Sequence, residues 1–151
     1  MAEHIFIETD YLTIQNRIQA LTADHHRRWG TMTLNEMLEH CAIQLKLALG
    51  KIEQKHFEGP SIQRSRFIRW AALYAVPWFR GLPTPSRMNT KRNQVQAADL
   101  ETGKEQLLAL LDEVQLAGDL KPHPFFGSLN RKDWGRLIWK HLDHHLRQFG
   151  V

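Results

Sequence analysis

Cysteine is nearly absent from this sequence: among 151 residues there is one, Cys41. A single cysteine forms no internal disulfide, which excludes a disulfide-stapled scaffold and fits a reducing compartment. It also excludes a Cys-x-x-Cys redox or metal pair. No serine sits in a nucleophile elbow and no glycine-rich loop is spaced to cradle a phosphate. The longest apolar run, Trp70 to Phe79, is far shorter than the roughly 20 residues needed to cross a bilayer. The first ten residues, MAEHIFIETD, contain no Lys or Arg and no apolar stretch, so they lack the marks of a secretory signal. A cytoplasmic protein is expected. There is no repeat, no low-complexity tract and no alternating pattern of a half-buried strand, so a single all-α domain over residues 1–151 is the expectation.

What is present fits that expectation. The chain is 42% hydrophobic and 24% charged, the composition of one globular domain with a real core. The formal charge is +4, and the excess is concentrated: Arg64, Arg66, Arg69, Arg80, Arg87, Lys91 and Arg92 occur with no acid among them. Such a block suits an anionic small-molecule substrate, an acidic surface or simply a solvated face. Nucleic acid is not expected, because the basic residues are not set in a recognisable reading motif.

Five helical segments are predicted. Thr9 or Asp10 caps a first helix reaching about Thr22, with Ile14, Ile18 and Leu21 on one stripe. Thr33 and Glu36 form a capping box before Leu34, Leu38, Cys41, Leu45 and Leu49, and Gly50 ends this second helix. A third, from about Ser61 to Val76, follows Gly59-Pro60 and stops at Pro77. Arg80 to Asn93 reads as a long irregular excursion, of a length that often covers a pocket. Thr102 and Glu105 form another capping box ahead of Leu107, Leu110, Leu111 and Val114. After a loop containing Pro122, Pro124 and Gly127, Asn130 caps the last helix, which Gly150 ends. Amphipathic helices of these lengths pack as a helical bundle, and the long connections leave room for a crossover.

Nine histidines is a high count, and three of them fall within five residues. At about 100° per residue, with Trp134 at zero, His141 and His145 lie at about −20° and +20°, in the middle of an apolar arc bounded by Leu137 and Leu142. His144, at about −80°, sits at its edge. Imidazoles at i and i+4 leave one helix face side by side, the spacing at which one metal ion accepts both. A lone H-x-x-x-H pair is also common in helices whose inward histidines bond carbonyls or water, so spacing alone makes a candidate pair. On the second helix His40 falls at about −120° from Leu34, beside Gln44 and Met37 and outside the apolar arc. Only if that edge faces a neighbouring helix do His40, His141 and His145 complete three nitrogen ligands with a position open to water or substrate. His4, His25, His26 and His56 read as solvated. His123 reads either as lining a pocket mouth or as structural. Cys41, inside the apolar arc, reads as a buried thiol, and Trp29, Trp134 and Trp139 as packing residues.

Two blocks, RWGTMTLNEMLEHCA (Arg28 to Ala42) and HPFFGSLNRKDWGRLIWKHLDHHLRQFG (His123 to Gly150), resemble the DinB-like, or YfiT-like, superfamily of metal-dependent proteins, and within it an uncharacterised bacterial branch. The resemblance implies a four-helix bundle with a crossover connection and short extra segments, often a homodimer. It also implies a divalent ion on one histidine of the second helix, here His40, and an H-x-x-x-H pair on the last, here His141 and His145. Relatives in that superfamily include thiol-dependent S-transferases and a maleylpyruvate isomerase. The resemblance carries no particular reaction for this branch.

Two functional readings follow. In the first, the three histidines hold zinc, or nickel, manganese or iron, and activate a low-molecular-weight thiol or water for S-transfer or hydrolysis of an anionic small molecule. In the second, the bundle is a noncatalytic ligand- or partner-binding module with a structural metal or none.

Overall fold

The computed structural model of the chain describes residues 1–53, 65–80 and 97–151. Among these residues the protein is all-helical and has no strand; an isolated backbone bridge joins His123 and Gly127. None of the described helices is long and apolar enough to cross a membrane.

The first helix, α1, runs Glu8–Gln19 and starts without a side-chain cap. Asp10, one of the expected caps, instead accepts from the backbone N–H of His4 at 3.1 Å, which ties down the N-terminal lead. Ile14 and Ile18 face the core as expected, and Leu21 is buried just beyond the helix end. In α2, Leu34–Leu49, the Thr33 hydroxyl accepts from Glu36 N at 3.2 Å and the Glu36 carboxylate accepts from Thr33 N at 2.8 Å. The helix closes at Gly50, whose φ of 72° is the left-handed conformation that glycine adopts without a Cβ clash.

Within the predicted third helix the described part is α3, Arg66–Trp70, continued by a π-helical turn, Ala71–Ala75. Val76 N donates to Ala71 O at 2.8 Å, and Pro77 follows. The carbonyls left over at this end are taken by α5: Lys140 Nζ donates to Ala72 O at 2.6 Å, and Arg136 Nε donates to Leu73 O at 2.9 Å. Burial, with Arg136 nearby, pushes the Lys140 ammonium down to about 8. The proposed start at Ser61 and most of the excursion from Arg80 to Asn93 lie outside the described residues.

Helix α4 runs Leu100–Leu116, and its cap is not Thr102. Asp99 holds that position, its carboxylate accepting from Thr102 N at 3.0 Å and from the Thr102 hydroxyl at 2.8 Å. This register buries Gly103 against α2, where a Cβ would stand 3.2 Å from Leu38 Cδ1. A close approach of the two helices fixes the choice. Helix α5, Arg131–Gln148, starts as read, with Asn130 Oδ1 accepting from Asp133 N at 2.8 Å.

α2 packs against α4 and α5, and α1 packs against the same two. The core between them contains Leu38, Leu45, Leu107, Leu111, Leu137 and Trp134, each burial of a leucine being worth about 1.5–3 kcal/mol. α2 and α5 run antiparallel. Gln148 Nε2, at the end of α5, donates to Trp29 O ahead of α2, while at the other end Lys121 joins the two, its N–H donating to Ala48 O and its C=O accepting from Trp134 Nε1.

Candidate metal centre

The apolar arc of α2 faces α4, so the flank carrying His40 is left to α5. Helix packing on both sides buries Met37, His40, Cys41, Gln44 and Leu45 alike, and His40 is 3% exposed. An isolated wheel puts this residue at an edge; in the bundle that edge is an interface. His141 and His145 come from the middle of the buried face of α5, 4% and 7% exposed. The three rings form a nearly equilateral triangle with centroids 4.7 to 4.8 Å apart.

One nitrogen from each ring lies within 4.8 Å of the other two, and His141 Nε2 is 2.9 Å from His40 Nε2. Tetrahedral zinc with Zn–N bonds of about 2.0–2.1 Å sets its nitrogens about 3.3–3.4 Å apart, inside the range the trio spans. Two of the donors also have the right charge. Burial first, and then the neighbouring histidines, hold His141 well below its ordinary pKa, and burial with His40 beside it puts His145 at about 3. Both rings are neutral at pH 7 and offer lone pairs.

Orientation comes from a residue the sequence reading passed over. Gln148, 3% exposed, lies 2.8 Å from His145 Nδ1 through Oε1, and its Nε2 donates to Trp29 O at 2.8 Å. The amide thus fixes the proton of His145 on Nδ1 and turns Nε2 toward the trio. Its signal was its place one turn beyond His144, at about −40° and so inside the buried arc between Leu137 and His141.

His144 is half-buried beside the cluster, between Trp29 at 5.8 Å and Trp78 at 6.2 Å between ring centroids. Trp78 also lies edge-on to His141 at 5.9 Å, pinned by its Nε1 donating to Ala72 O at 3.2 Å. The π-turn segment therefore covers the outward side of the triad, a role that could not be read from its apolar composition. Trp29, expected only to pack, also carries the Arg80 guanidinium 4.4 Å from its ring centroid. Of the basic block, Arg69 donates to Ser128 O at 3.0 Å and Arg66 is exposed; Arg64, Arg87, Lys91 and Arg92 lie outside the described residues.

The remaining described histidines do not join the triad. His123 is buried, and its Nδ1 accepts from Phe125 N at 3.0 Å and Phe126 N at 3.1 Å, so the structural alternative holds. Burial takes its pKa to about 4. His4, expected in solvent, is half-buried beside Phe6. His25 is half-buried too, its Nδ1 accepting from Thr22 N at 3.0 Å, and His26 is exposed; both line a surface cleft of about 470 Å³ at the start of α2 with Arg27, Thr33, Leu34 and Phe149. His56 lies outside the described residues. Cys41 is buried, as read, and desolvation pushes its thiol up, away from any role as a thiolate.

The chain matches a family described as "Protein of unknown function (DUF1569)" over residues 7–150 and belongs to it. No curated protein and no solved structure matches it.

Proposed function

We propose that this DUF1569-family chain is a divalent-metal-dependent enzyme of the DinB-like type, with His40, His141 and His145 as its three protein ligands. The observation that carries the reading is the convergence of three buried imidazoles from two helices on one point. The packing of α1 and α2 each against both α4 and α5 supports a four-helix bundle with a crossover between α2 and α4. Zinc suits an all-nitrogen set best, with nickel, manganese and iron as the other ions to test.

Three protein ligands leave room for a fourth. A divalent ion held there supplies Lewis acidity that lowers the pKa of a coordinated water or thiol toward neutrality. The chain's own groups do the rest. Gln148 fixes the tautomer of His145, and Trp78 limits water at the outward side of His141. Arg80, held on Trp29, places a cation near His144, which suits an anionic small molecule or a low-molecular-weight thiol carrying carboxylates.

The burial of the triad under Trp78 also favours a second reading, a noncatalytic module in which the ion only stabilises the fold. Elemental mass spectrometry on untagged protein, purified without added metal or chelator, tests both. About one ion per chain, absent from the triple alanine variant at His40, His141 and His145, supports a metal centre. A loaded protein that turns over neither thiol-transfer nor hydrolysis substrates, but melts well above its ion-free form, favours the structural role. No ion after reconstitution, with equal stability of the two proteins, removes both.

A further inference from the structure

A neutral imidazole carries one ring proton, and when Nε2 faces an ion that proton sits on Nδ1 and needs an acceptor. At His145 the acceptor is Gln148 Oε1, 2.8 Å away. At His141 the Nδ1 atom is buried and has no partner among the described residues. Gln44 shows the complementary anomaly: the residue is 2% exposed, and its Oε1 is buried with no donor to accept from among the described residues. Burying an amide oxygen unsatisfied is costly, and such an atom in a native core calls for an explanation.

The two orphans belong to one layer of the molecule. Gln44 follows His40 by one helical turn, so both leave α2 on the same stripe, and His40 is the residue that meets His141 across the α2–α5 interface. Because the helices are antiparallel, the turn of α2 after His40 runs toward the His141 end of the histidine pair and away from Gln148. A buried acceptor without a donor thus lies one turn of α2 beyond His40, the residue that His141 meets, and the outer ring nitrogen of His141 becomes a donor only in one tautomer. In the ion-free molecule the 2.9 Å contact between His141 Nε2 and His40 Nε2 needs a proton on one of those nitrogens. Presenting both to an ion removes it, and the neutral His141 ring then carries its proton at Nδ1.

We propose that Gln44 is the positioning residue for His141, its Oε1 accepting the Nδ1–H when Nε2 is turned to an ion, as Gln148 does for His145. This rests on the reading of the triad as a metal centre. The amide is then a group kept for the loaded state at the expense of the ion-free one, and the two states respond to its removal in opposite directions.

The test is Gln44→Leu, of similar volume, beside Gln44→Glu, which keeps an acceptor oxygen. With zinc as the probe, Gln44→Leu is expected to bind roughly 10- to 100-fold more weakly than wild type, while its ion-free form melts roughly 2–4 °C higher. Gln44→Glu is expected to keep wild-type affinity or exceed it. Ring-¹⁵N histidine spectra of zinc-loaded protein should show exchange-protected Nδ1–H signals for both His141 and His145, with only the His141 signal lost in Gln44→Leu. Wild-type zinc affinity in Gln44→Leu overturns the proposal and leaves the metal centre standing. Weaker binding with a lowered ion-free melting temperature and both signals lost also overturns it, marking Gln44 as a packing residue. If wild type itself takes up no zinc, the metal centre falls and this role of Gln44 with it.

Discussion

Helix α5 presses buried histidine rings against both of its halves, and the two environments differ in where the ring lone pairs go. Beside its first turns, His123 sits edge-on to Trp134 and uses Nδ1 to accept from the backbone of Phe125 and Phe126. The Nδ1 lone pair of that ring is committed to holding its loop. Two turns further on, His141 and His145 meet His40, nitrogen toward nitrogen, and the neighbouring amide of Gln148 holds His145 by its other nitrogen. Depth of burial is nearly the same in the two places, 8% exposure for His123 against 3% to 7% for the triad. Convergence of unspent donors, rather than burial, separates a candidate site from a structural histidine.

The sharpest way to break that contrast is to delete one ring from each side. His141→Ala is expected to lose stoichiometric metal, with zinc affinity falling at least about 100-fold. His123→Ala should keep zinc within about threefold and instead lose about 1–3 kcal/mol of stability, by stripping the Phe125 and Phe126 amides of their acceptor. Competition with a chromophoric chelator and urea unfolding give the two readings. Equal metal loss in both variants would erase the distinction.

Acid should act on both regions together. His123, His141 and His145 all have folded pKa values below the unfolded 6.5. The unfolded chain therefore binds more protons, and stability that is complete above about pH 6.5 falls as pH drops toward the folded values. With His123 and His145, at about 4 and about 3, each contributing about 1.4 kcal/mol per pH unit below 6.5, ion-free protein should be about 3 kcal/mol less stable at pH 5.5 than at pH 7.5, and His141 adds to the loss in the same direction. Urea midpoints across that range check this, and His123→Ala should make the slope shallower.

A smaller effect is expected at the support of the triad. Gln148→Leu, which takes the acceptor from His145 and the donor from Trp29 O, should weaken zinc roughly 10- to 100-fold without abolishing it. Isothermal titration at pH 7.5 distinguishes this from ligand loss. Smallest of all is the cap of α4: Asp99→Ala should lower the urea midpoint, and Glu105→Ala should leave it unchanged, because Asp99 and not Thr102 holds the first turn.

Much of this was legible where the controlling physics is local. Thr33, Glu36, Gly50 and Asn130 act within a few residues of themselves, and the structure places them as read. The inward pair His141 and His145 followed from helical period alone. Local rules failed where two local solutions compete. Asp99 and Thr102 are both good caps three residues apart, and the contact of Gly103 with Leu38 selects between them. Similarly, nothing near Trp70 to Phe79 says that Lys140 and Arg136 will take its final carbonyls and hold Trp78 over His141.

The sequence by itself determined the four longer helices, the apolar stripe of each and the pairing of His141 with His145, because period, caps and turn residues are set by near neighbours. Only the tertiary structure decided that the flank of α2 carrying His40 is an interface, that Gln148 orients His145, and that Gln44 lies in the same buried layer. Those facts depend on which side of one helix another occupies, and a wheel drawn for a single helix has no partner in it.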